Sequence, residues 1–294
     1  MLRRWAVVAM GCWCAAALIG CGGAQEGGPP RLAGTYRLPD HPDKIAVGPT
    51  GRVYYVATGG GMMRGGTGEL RVAEADSKPG YPLNLASGVE IKALVADGLG
   101  SLYLGVREGG KDAIWVFDEA WTTGTPEPKA KLKPELPGDL NHLFLGREAG
   151  TLFALCGDKY VVKLRNDGSV LATVALPGDS RPEDGGVDRE GNLYVRRASG
   201  PVVKVKPDGT VDKAWAKSAA AAMDSVRSVA VDSRGLVYVA GSEGDVYLRA
   251  FDATGALAFN LATEELTYAP DRLVVTPRDV LYALDGQKVC EFRR

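Results

Sequence analysis

Six polar residues occupy one recurring slot of this chain, four places ahead of the apolar residue that ends the first run of each copy of a repeated phrase. They are Asp43, Lys92, Asn141, Glu183, Arg227 and Asp271. The next slot adds Lys44, His142, Asp184 and Arg272. Acidic and basic groups interleaved in this way suit a polar ligand or the loop of a partner protein, because complementary charges steer and orient what approaches. Asp43, Asn141, Glu183 and Asp271 also offer the oxygen donors that a hard divalent cation takes. Lys92 and Arg227 share the slot and oppose a cation there. Exposed charges also collect on any wet surface without a ligand. Arg64 and Arg107 fall in residues 58–68 and 106–111, which read as the longest loops after a second strand, and Arg196 and Arg197 lie beside another such loop.

Other chemistry is poorly served. Two histidines, His41 and His142, are too few for the usual His-rich metal sites. No Gly-x-Ser-x-Gly elbow occurs, and neither His is spaced with a nucleophile and an acid. The residues thus assign no catalytic group and no cofactor.

The elements that must position the ring come from the repeat itself. Each copy has an apolar run, a turn containing Gly or Asp, and a second run with an aromatic: Tyr54, Tyr103, Phe153, Tyr194, Tyr238 and Tyr282. Steps between the aromatics are 49, 50, 41, 44 and 44 residues, a propeller-blade period. Runs rich in Val, Ile, Leu and Tyr around such a turn predict a hairpin, and a second hairpin follows in most units. The expected fold is all-β, a six-bladed β-propeller of four-stranded antiparallel blades. The recurring aromatics are expected to pack rather than to stack on a ligand. The last unit stops one strand short, while an orphan strand at residues 35–38 precedes the first. That predicts closure of the last blade by the N-terminal strand, against residues 288–292.

The phrase Pro-x-x-apolar-Ala-Val-Asp-x-x-Gly-x-Leu-Tyr-Val, best matched at 182–195, 226–239 and 42–56, resembles the NHL-repeat family of β-propellers. The likeness covers almost all of residues 34–294 and implies fold. It also implies that each blade's first strand lines a central channel, whose mouth the polar slots would ring. Loops that enter this strand would share one face with loops that leave the second.

Ahead of that domain, Arg3 and Arg4 precede an apolar run from Trp5 to Ile19 that ends in Leu18-Ile19-Gly20-Cys21. A basic start, a short apolar core and small residues describe an export signal, residues 1–20, too short to span comfortably. Leu-Ile-Gly-Cys resembles the lipobox of bacterial lipoproteins, which implies lipidation of Cys21 after cleavage. Residues 21–33, rich in Gly and Pro, read as a flexible tether. Gly22 stands where an Asp would resemble an inner-membrane retention signal, so the outer membrane is favoured if the host has one.

The net charge is −1, and −3 once Arg3 and Arg4 leave with the signal, with no basic footprint for nucleic acid. Cys156 and Cys290 belong to the third and sixth units, on opposite sides of the ring and too distant for a disulfide. The expected function is that of an exported, lipid-anchored propeller binding a protein or polar ligand at the channel mouth. The alternative is a metal-dependent hydrolase, which the likeness to gluconolactonase-like propellers would imply.

Overall fold

The computed structural model describes residues 28–57, 69–73, 81–83, 85, 88–118, 126–223, 225–243 and 246–294. These form six antiparallel sheets around an axis, a six-bladed β-propeller. The innermost strands are Pro42–Val47, Val89–Ala96, Leu140–Leu145, Pro182–Val187, Val226–Val231 and Arg272–Val275. A blade cannot bury both of its faces alone, and the ring solves this with an apolar cluster at each interface between neighbours. Tyr54 and Val72 of the first blade meet Leu102 and Trp115 of the second. Leu38 and Tyr55 likewise meet Tyr282 and Val289 across the seam between the first and last blades. Cys156 and Cys290 are buried free thiols within this packing, in the third and sixth blades.

Closure follows the expected route. The N-terminal strand Arg31–Arg37 pairs antiparallel with Lys288–Arg293, with Thr35 opposite Cys290 and Arg37 opposite Lys288. The strand begins at Arg31, so pairing takes in the last residues of the stretch read as a tether.

The repeated phrase has a local cause. The turn carboxylate and the aromatic six residues later bond to each other: Tyr103 Oη donates to Asp97 Oδ2 at 3.2 Å, Tyr194 to Asp188 at 3.0 Å, and Tyr238 to Asp232 at 3.1 Å. The same carboxylates accept turn amides, such as that of Asn192 at 2.8 Å. Burial and the neighbouring Asp97 together push the Tyr103 phenol up to about 12. In the third blade both halves are missing at once, with Gly146 in place of Asp and Phe153 in place of Tyr. Any Cβ at Gly146 would fall 1.9 Å from Thr151 Oγ1.

Two features depart from the sequence reading. Five sheets have four strands, whereas the fourth blade has three and then only an isolated bridge, Val205 to Val211. The chain leaves the sheet there to insert Trp215 on a one-turn 3-10 helix, Trp215–Lys217. Asp212 Oδ1 accepts the amides of Ala214 and Trp215, and the indole Nε1 donates to Val202 O at 3.0 Å. The ring packs edge-on against Tyr194, with centroids 4.9 Å apart, so a buried aromatic replaces the outer strand. The second departure is at residues 106–111, which are no long loop. Strands Ser101–Glu108 and Lys111–Asp118 are joined by Gly109 and Gly110, whose φ angles of 58° and 78° make a tight hairpin turn that glycine favours.

Candidate functional site

The inner strands present their unpaired edges to a central channel of about 300 Å³. In five of them the register slips by one residue, between Pro42 and Lys44, Ile91 and Ala93, Leu140 and His142, Pro182 and Asp184, and Val226 and Ser228. The skipped residues are Asp43, Lys92, Asn141, Glu183 and Arg227. The recurring polar slot is therefore a β-bulge, a device that re-aims side chains at a strand end. In the sixth blade Asp271 holds the equivalent place, its amide donating to Leu284 O at 2.7 Å.

Most of these bulge residues are engaged beside their own strand. Burial pushes the Asp43 carboxyl up, but the field and bond of Lys44 and the field of Arg272 outweigh it and leave it below the usual range. Lys92 pairs with Glu90 at 2.8 Å, and Asn141 Nδ2 donates to Gly157 O at 2.7 Å. Glu183 receives Arg181 at 2.7 Å and also Arg196. Arg227 and Asp271 form the one direct pair between members of the set among the described residues, at 2.6 Å across two blades. Arg107 lies in a strand rather than a loop, held by Asp112 at 2.8 Å and by Asp139. Arg197 Nη1 donates to Pro177 O. Arg64 and Cys21 fall outside the described residues. Among the described residues no group of three or more His, Cys, Asp or Glu is placed to hold a metal ion.

The next slot lines the channel mouth itself, with Lys44, His142, Asp184 and Arg272. Asp184 is 3% exposed and fastens the blades together. His142 Nε2, in the third blade, donates to its Oδ1 at 3.2 Å. In the fifth blade the Ser228 hydroxyl and the Val229 amide, the latter at 3.2 Å, donate to Oδ2. Ser228 Oγ in turn accepts the Leu273 amide of the sixth blade at 2.9 Å. Burial pushes the Asp184 carboxyl up, but the His142 bond, the positive fields of His142 and Arg272 and the Ser228 bond outweigh it and leave the pKa lowered. Ser228 was missed in the sequence because a serine at that slot looks like any exposed hydroxyl; it is fully buried.

Gly185 and Gly186 let the fourth blade approach so closely. A Cβ on Gly185 would come within 3.1 Å of the Phe144 ring, and one on Gly186 within 2.8 Å of Val231 Cγ2. The interruption of the apolar run by two glycines was the available sequence signal. At the far end of the channel Arg147 Nε donates to Val187 O at 2.9 Å and Nη2 donates to Val231 O, so this side chain spans the ends of two inner strands. The channel is thus a cup, with a charged mouth and a guanidinium across its base.

No protein-family model and no curated protein matches the chain. Among solved structures it is similar to a protein of unknown function from Bacteroides caccae, with a TM-score of 0.56 and 12% identity over 86% of this chain and 87% of that one. At that identity the likeness establishes the propeller fold alone.

Proposed function

We propose that the protein is an exported, lipid-anchored propeller of NHL-like type that serves as a binding or scaffolding module of the cell envelope. The observation that carries this reading is the asymmetry of the two faces. The mouth gathers side chains from all six blades, while the opposite face consists largely of hairpin turns. Arg31, the first residue of the closing strand, pairs with Arg293 at the turn-bearing face, and the strand runs from there towards the mouth. A lipid on Cys21 would be ten residues away from that face, a root-mean-square reach of about 18 Å for a flexible chain. The mouth would then point away from the bilayer, free to meet a partner.

Cys21→Ser is expected to move the protein from the membrane to the soluble fraction on cell fractionation. Retention of the variant in membranes would mean that the apolar segment itself anchors the chain. For the binding role, Arg227 and Asp271 must be changed singly, because reversing both rebuilds their pair. Arg227→Glu is expected to weaken crosslinking to envelope partners while changing stability by only about 0–1 kcal/mol, as for other exposed ion pairs. Undiminished crosslinking by Arg227→Glu and by Asp271→Arg would place partner binding elsewhere.

A further inference from the structure

Resting on the binding-module reading and sharpening it, we propose that the channel takes a small carboxylic acid with a short apolar body, its carboxylate held at the mouth by Arg272. Arg272 lines the cavity and is partly buried, yet among the described residues its guanidinium has no hydrogen-bond or ion-pair partner. It interacts with Asp43 and Asp184 only through their fields. The other described arginines named above at the mouth, Arg107, Arg181, Arg196, Arg197 and Arg227, all have partners, so this fork of five N–H donors is a recognition group left open. Planar, paired donors match a carboxylate in two parallel bonds.

The surroundings favour an acceptor over a donor. Asp184 is the buried anion of the mouth, and its oxygens already receive His142, Ser228, Val229 and the Gly185 amide. An amine entering the channel finds that carboxylate taken. A carboxylate finds Arg272, with Lys44 on the neighbouring inner strand of the same wall. Below the mouth the half-buried side chains of Val95, Leu145, Val274 and Val275 line the cavity. A volume of about 300 Å³ lies at the lower end of ligand pockets, which suits a compact molecule.

The test is titration of the purified protein with acetate, butyrate and hexanoate, and with hexylamine, followed by amide NMR shifts and calorimetry. Saturable binding is expected, tightening from acetate to hexanoate, with shifts confined to the six inner strands. Arg272→Gln should weaken hexanoate by about tenfold or more, the value of a lost charge-assisted pair. Arg189→Gln, on the turn-bearing face, should bind as the parent does. Hexylamine binding as tightly as hexanoate, or unchanged affinity in a folded Arg272→Gln protein, would overturn the proposal. So would the absence of saturable shifts with any acid. Should Arg272→Gln not fold, the acid–amine comparison on the unaltered protein decides alone. Partner crosslinking is scored separately: it can fail while hexanoate binds, which refutes the scaffold role only, or persist while hexanoate does not bind, which refutes the channel ligand only.

Discussion

Removal of residues 28–38 is expected to open the propeller at its seam and drive it to aggregate. The deletion strips the last blade of its outer strand and leaves Lys288–Arg293 as an open edge, with free N–H and C=O groups that template association. It also removes Leu38, 2% exposed, from the cluster that joins the last blade to the first, and the bond from the Leu38 amide to Gln287 O at 2.8 Å. A milder probe of the same seam is Leu38→Ala, whose cavity should cost about 2–5 kcal/mol in chemical denaturation. Size-exclusion chromatography of the deletion and a denaturation curve of the point variant check both. A deletion that elutes as a stable monomer would show that five and three-quarter blades hold without closure.

That seam was legible because it depends on segments whose patterns are local: an unpaired strand at one end and a missing one at the other. The repeat was legible for a similar reason, since Asp97 and Tyr103, or Asp188 and Tyr194, are partners six residues apart. The polar slot was also visible in register, and it coincides with the bulges. What the slot residues do was not visible, because their partners are set by packing between blades. Asp184 finds Ser228 and Arg227 finds Asp271, each 44 residues away, through contacts that exist only after the ring has formed. The fourth blade hid its missing strand because the segment after Val205 ends in a buried Trp215 whose groove is built by the fifth blade. Residues 106–111 were misread as a loop since Arg107 and Glu108 look like surface residues. They continue a strand because Asp112 and Lys111 stand opposite them.

Asp279 shows the same division between local and distant causes. It takes a positive φ of 59° at a turn position where other blades have glycine, such as Gly191 and Gly235. Its carboxylate explains why a strained residue is kept, since it accepts the Ser233 amide at 2.8 Å and the Ser233 hydroxyl, latching the sixth blade to the fifth at the turn-bearing face. The ring is therefore fastened by carboxylates at both ends of the channel, by Asp279 at the base and by Asp184 at the mouth.

The mouth fastening carries the second large effect. Asp184→Ala leaves the His142 imidazole, the Ser228 hydroxyl and the Val229 amide without their acceptor, and the expected loss is about 3–5 kcal/mol, as for other broken buried pairs. Ser228→Ala should cost about 1–3 kcal/mol, because the Leu273 amide and one Asp184 oxygen each lose a partner. The double variant should cost less than the sum, since both changes remove the same bond. The wild type also predicts a pH signature. The folded carboxyl titrates below its usual value near 3.8, so its stabilisation is full above that pH and is lost as pH falls through the lower folded value. Denaturation midpoints measured from pH 6 down to pH 2 should therefore fall more steeply below about pH 4 in the parent than in Asp184→Asn, which has no carboxyl to protonate. Identical acid limbs for the two proteins, or an Asp184→Ala variant as stable as the parent, would show that the mouth is held by the apolar interfaces alone.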